Sequence, residues 1–199
     1  MEEINSQTQP ELITMEAPVE KKKRKRRRKK SHSRAARRDE ATAILWGVAE
    51  EMRSAAEDIR GAAGDLDESK ANDEEPNEEL EVPSTETIHK EIEDRVEEAS
   101  KYFEEHFSTS ELESLAEEMR SWSDGLEGTN LSQSEKAQTI SDTADTLESA
   151  ISSLDGCSFP DDFDLDDVES FATELDQLAD EIESGVSDIE NCEFPGMYG

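Results

Sequence analysis

The sequence is poor in the residues from which most active sites are built. Histidine occurs three times (His32, His89, His106) and cysteine twice (Cys157, Cys192). No histidine lies near either cysteine in the chain, so the simplest Cys–His arrangement for nucleophilic catalysis has no local basis. Neither a Gly-x-Ser-x-Gly turn nor a glycine-rich phosphate loop occurs. Two cysteines do not make a disulfide framework. No apolar run approaches the roughly 20 residues of a membrane span. The N-terminus lacks the charged start and apolar stretch of a secretion signal. The chain is therefore expected to be soluble and cytoplasmic, or nuclear in a eukaryotic host. Leu, Ile, Val and Phe make up only roughly 18% of residues, which with high net charge is the composition of a chain with little core. An enzyme is not expected, and no catalytic residue, cofactor or metal is assigned.

The metal-like motifs are incomplete. Asp162, Asp164 and Asp166 begin like a calcium loop, but its sixth position is Asp167 instead of Gly and its twelfth is Thr173 instead of Glu. Glu86-x-x-His89 is one half of a di-iron carboxylate pattern whose second half is missing. Glu pairs three or four apart, as in magnesium-dependent all-helical nucleotide hydrolases, are supplied by chance in so acidic a body.

What the chain has in abundance is charge, and the charge is segregated. The net charge is −32. Residues 1–20 carry five acids and no bases, residues 21–38 thirteen bases and no acids, and residues 39–199 forty-eight acids against eight bases. The bases of the second block are Lys21, Lys22, Lys23, Arg24, Lys25, Arg26, Arg27, Arg28, Lys29, Lys30, Arg34, Arg37 and Arg38. Like charges in a block repel, so residues 1–38 are expected to form a disordered arm. Such an arm neutralises nucleic-acid phosphates without reading sequence. No aromatic residue interleaves the bases to stack on nucleobases. An import signal and a tether to an acidic surface are the competing readings. The acidic body repels itself, so its fold needs salt, a cationic partner or a shape that keeps charges apart.

Helical periodicity starts at Ala41. Apolar residues recur at Ala41, Leu45, Val48, Met52, Ala55, Ile59, Ala62 and Leu66, spaced alternately four and three, which is a heptad seam. It predicts a helix over 39–67, and Gly61 and Gly64 weaken its far end. Residues 68–87, acidic and broken by Pro76 and Pro83, read as a disordered linker. A helical region over 88–191 follows. Its stripes are Ile88, Ile92, Val96, Ala99, Phe103, Phe107; then Leu112, Leu115, Met119, Trp122, Leu126; then Ile140, Ala144, Leu147, Ile151, Leu154; then Val168, Phe171, Leu175, Leu178, Ile182, Val186, Ile189. Capping boxes are available at Ser108–Glu111, Ser110–Glu113 and Ser132–Glu135, and Asp164 or Asp166 can cap the last helix. Residues 192–199 read as a flexible tail that packs back on the bundle or docks into a partner. The expected fold is all-α: coiled-coil-like helices or a helical bundle, elongated, behind a basic arm. The first helix cannot hide its stripe alone and must pair with the C-terminal region or with a second copy in a homo-oligomer.

Part of this pattern is repeated. Ala144–Pro160 (ADTLESAISSLDGCSFP) and Ala179–Pro195 (ADEIESGVSDIENCEFP) align without gaps, each an acidic helix with an apolar stripe ended by Cys-x-Phe-Pro. Weaker echoes lie in VAEEMRSA (Val48–Ala55) and LAEEMRSW (Leu115–Trp122). Units of this kind need a neighbour to bury their stripes. In an antiparallel hairpin of the last two helices, the cysteines sit at opposite ends of a helix of some 22 residues, on the order of 30 Å apart. A disulfide needs Cα atoms within about 7 Å, so both cysteines are expected to be small apolar plugs.

The segment EEMRSWSDGLEG (Glu117–Gly128) with the ending CEFPGMYG resembles small acidic helical proteins encoded by phages and prophages. The resemblance covers the C-terminal half at most and implies no activity for any residue. The charge pattern predicts a non-catalytic adaptor, with the arm on nucleic acid and the acidic helices on a protein partner. The alternatives are an acidic mimic of nucleic acid that inhibits its target, and a structural, scaffold-type viral protein. No membrane partner is expected.

Overall fold

The computed structural model describes residues 33–74 and 83–195. The expected disorder of residues 1–32, and the end of the tail at 196–199, lie outside the described residues. Five helices account for most of the described chain: α1 (Arg34–Glu74), α2 (Thr85–His106), α3 (Ser110–Leu126), α4 (Glu135–Leu154) and α5 (Val168–Glu190). No strand occurs among the described residues, and the all-α expectation holds. No described helix is long and apolar enough to cross a membrane.

The architecture follows from the stripes. α1 packs against α5, α2 and α3, and α4 packs against α3 and α5. Helices α1, α5, α4 and α3 thus form a closed ring, with α2 laid on α1 alone. The whole α1 seam from Ala41 to Leu66 is buried, apart from half-buried Ala62, as are all the stripe residues named for α4 and α5. The first helix hides its stripe mainly against α5, within one chain. Fifteen Leu, Ile, Met and Phe side chains keep 2% or less of their surface exposed, Phe171, Leu45, Met52 and Ile59 among them. At roughly 1.5–3 kcal/mol each, they outweigh any set of surface ion pairs.

Element boundaries differ from the expectation in three places. α1 starts five residues before Asp39, at Arg34, and the Ser33 hydroxyl accepts from the Ala36 amide (3.2 Å). It also continues past Gly61 and Gly64 to Glu74, because Leu66 and Ser69 are buried. The Ser69 hydroxyl donates to the Pro83 carbonyl (3.2 Å), drawing the next segment alongside. Of the expected 68–87 linker, residues 68–74 are helical and α2 begins at Thr85 behind a Ser84 cap that accepts from the Thr87 amide, while residues 75–82 lie outside the described residues. Third, residues 192–195 are not free tail. Cys192 is buried, and the Glu193 carbonyl accepts from the Thr143 hydroxyl at 2.6 Å.

The caps also shift by a residue or two. α3 starts behind Thr109, which gives no side-chain cap, and Ser108 and Ser110 hydrogen-bond to each other (3.0 Å). α4 is capped by Ser134, which accepts from the Ala137 amide, while the Ser132 hydroxyl is spent on the Thr129 carbonyl. α5 is capped by Asp167, because Asp164 takes the Asp166 amide instead. Gly128, just past α3, is in the left-handed region (φ 74°), the backbone state that glycine tolerates at a helix end.

The duplication is visible in the packing. Cys157 and Cys192 follow their helices identically: amide to the carbonyl three back (Leu154, Ile189), thiol to the carbonyl four back (Ser153, Asp188). The two echoes also correspond. Arg53 in VAEEMRS bridges from α1 to Asp180 and Glu183 of α5, and Arg120 in LAEEMRS bridges from α3 to Asp145 and Glu148 of α4. The acids are the matching residues of ADEIES and ADTLES. Pair α1–α5 and pair α3–α4 are therefore two versions of one helix pair. Where α4 and α5 cross, Gly185 lies against Leu154, and a β-carbon there would come within 2.8 Å of Leu154 Cγ and Cδ2. Gly185→Val should overpack this crossing and cost about 2 kcal/mol. The expected outcome is a thermal midpoint lower by roughly 4–8 °C by circular dichroism.

Candidate functional site

The basic segment enters the described structure at Arg34, and its last three arginines are already engaged. Arg34 Nε donates to Glu118 (3.0 Å). Arg37 donates to Glu118 (2.5 Å) and also pairs with Glu111, both on α3. Arg38 donates to Asp39 (2.7 Å) and to the main-chain carbonyls of Cys192 (2.7 Å) and Glu190 (3.2 Å). The Phe194 ring lies 5.5 Å from the Arg38 guanidinium, and the Trp122 ring 5.0 Å from that of Arg34.

Local physics alone disfavours this arrangement. The first turn of α1 has no acid, and cations at a helix N-terminus oppose the macrodipole. Carboxylates from α3 outweigh that opposition. Arg38 gains further from the carbonyls that end α5, where a cation is favourable and where α5 has no basic residue of its own. Of the thirteen bases assigned to nucleic acid, Arg34, Arg37 and Arg38 are thus committed within this chain. Lys21, Lys22, Lys23, Arg24, Lys25, Arg26, Arg27, Arg28, Lys29 and Lys30 lie outside the described residues.

The same pattern runs through the body. Arg60 of α1 bridges to Glu169 (3.1 Å) and Asp176 (2.7 Å) of α5, and Arg95 of α2 to Glu51 (2.7 Å) and Asp58 (2.8 Å) of α1. With Arg53 and Arg120, every arginine from Arg34 onward is ion-paired, and six of the seven pair with acids of a neighbouring helix. Hydrogen bonds from Arg37, and then Arg34, hold the Glu118 carboxyl below its ordinary value of 4.5 against the opposing effect of burial. The remaining acids, far more numerous than these bridges consume, line solvent-facing helix surfaces. None of these bridges was anticipated from the sequence. Its one signal was the conserved register of Arg in both AEEMRS segments with an acid pair three apart in both ADxxES segments.

Trp46 and Trp122 are half-buried at the edge of the core. Trp46 Nε1 donates to Glu190 (3.0 Å), and Trp122 lies between Arg34 and Lys136. Both cysteines are free and buried. Burial, with Glu181 and Asp155 adding to it, pushes the Cys157 thiol up to about 11, and burial also raises Cys192 against the pull of Arg38. Neither is poised as a thiolate at neutral pH. Among the described residues no group of three potential metal ligands converges. Two grooves flank α3: one of about 570 Å³ beside Arg34 and Trp122, and one of about 500 Å³ between α3 and α4. No family model, curated protein or solved structure matches the chain.

The Glu118 pairing contributes stability that is present above the ordinary carboxylate range and is lost as pH falls through the depressed folded value. Glu118→Gln should therefore lower the thermal midpoint at pH 7. The gap from wild type should narrow below about pH 4, as read by melts across pH.

Proposed function

We propose that this protein is a non-catalytic adaptor: Lys21–Lys30 holds nucleic acid by its phosphates, and the acidic helices dock a protein partner. The observation that carries this reading is the internal use of every arginine from Arg34 on. The helical body adds only scattered lysines to these engaged arginines, amid a large surplus of acids, so attraction to phosphate falls to the ten consecutive bases before it. That run can release counterions on binding but has no aromatic to stack on bases, which favours binding without sequence preference. The body offers the opposite sign, the complement of a basic protein surface.

A second reading draws on the same acid surplus. The body would itself imitate a nucleic acid and occupy the groove of a nucleic-acid-binding protein, with the basic run secondary. Removing residues 21–30 separates the two, since an adaptor loses nucleic acid whereas a mimic still inhibits its target.

In gel-shift titrations with double-stranded DNA and single-stranded RNA, full-length protein should bind with an affinity that falls steeply with salt. The slope should be roughly 0.7–0.9 per phosphate engaged. Deleting residues 21–30 should abolish binding. Replacing Arg34, Arg37 and Arg38 together with Ala should change the affinity less than about threefold and lower the slope by less than one, roughly the value of a single phosphate contact. Retained binding after the deletion would refute the assignment.

A further inference from the structure

The two helix pairs with matching bridges differ beside those bridges. In the α1–α5 pair, the Trp46 ring of α1 packs on the core edge and its indole N–H donates to Glu190 of α5 (3.0 Å). In the α3–α4 pair, the groove beside the Arg120 bridge is open, with a volume of about 500 Å³. The residue in register with Trp46 there is Glu113, and the one in register with Glu190 is Asp155. The floors correspond as well. Ala49 and Val186 are completely buried, whereas their counterparts in register, Ala116 and Ile151, keep 4% and 7% of their surface exposed. Asp155 Oδ1 accepts from the Thr109 hydroxyl (2.9 Å), and no described residue donates to its other oxygen.

We infer that the groove between α3 and α4 is a docking slot for an indole side chain carried on a basic-flanked segment of a partner protein. The molecule itself supplies the template, since in the sister pair an indole already rests on the core edge with its N–H on the matching acid. The volume falls within the roughly 300–1,000 Å³ of ligand pockets. A tryptophan anchor combines a large apolar face with one donor, the combination favoured at interface centres. The rim selects the flanks: Glu113, Glu117 and Glu148 border the slot, and its single base, Arg120, is already bridged to Asp145 and Glu148. The basic arm of this chain cannot supply the anchor, because residues 1–32 contain no Trp, Tyr or Phe.

This inference rests on the acidic body being a protein-docking surface and is independent of what Lys21–Lys30 binds. The probe is the capped peptide Lys-Lys-Trp-Lys-Lys, titrated into isotope-labelled full-length protein and followed by amide chemical shifts. Saturable shifts confined to residues 113–120 and 148–155 are expected. Affinity should fall at least tenfold when the slot is plugged by Glu113→Trp or, independently, by Ser152→Tyr, and at least fivefold when Leu replaces Trp in the peptide. Equal binding by the Leu peptide, shifts spread over all acidic faces, or unchanged binding in both plugged variants would overturn the slot. So would concentration-dependent shifts of the same amides without peptide, which would assign the groove to a second copy. A partner found to dock elsewhere on the body would remove the slot and leave the adaptor reading intact.

Discussion

Mutual repulsion among forty-eight acids is the constraint that the helical body must satisfy, and the cross-helix arginine bridges are its local answer. Arg37, Arg53, Arg60, Arg95 and Arg120 each reach two carboxylates of a neighbouring helix. A guanidinium fork suits that task, because its rigid donors can meet two acceptors at once. Exposed ion pairs contribute only about 0–1 kcal/mol each, so the bridges do not hold the fold up by themselves. The buried stripes do that. The bridges join four of the five helix pairs that pack, α1 with α5, α2 and α3, and α3 with α4, whereas α4 and α5 meet through their apolar stripes without one.

The two Cys-x-Phe-Pro endings show one unit put to two uses. Phe159 lies between Phe103 of α2 and Phe171 of α5, with ring centres 6.1 and 6.0 Å away, and Phe163 adds an edge contact to Phe171 at 5.1 Å. That cluster fastens the end of the outlying α2 to the ring. Phe194, the matching residue, instead rests against Arg38. One copy secures an added helix, and the other secures the start of α1. The cysteine before each is buried with a raised thiol, which suits a packing role.

The apolar stripes were legible in the sequence because a seven-residue period survives any choice of neighbour: the residues from Ala41 to Leu66 and from Val168 to Ile189 lie where the spacing put them. Helix starts were less legible. Ser132 and Ser134, or Asp164, Asp166 and Asp167, offer nearly equal caps, and the surrounding turn chooses among them. The start of α1 was misread for a different reason. A run of bases predicts repulsion, and only Glu111 and Glu118, some eighty positions away, reverse it. The role of Trp46 was equally hidden, since a tryptophan beside a stripe looks the same whether it completes a core or rests on its edge.

The closure of α1 onto α5 has a consequence for synthesis. The seam on α1 leaves the ribosome first, and its main partner begins at Val168, about a hundred residues later. At about 5–20 residues per second, that seam waits roughly 5–20 seconds for its cover, while the α3–α4 pair, joined by a short loop, can close as soon as it emerges. In the interval only α2 and then α3 are there to cover α1, and the like charge of its acidic flanks opposes pairing with its neighbours on the same message.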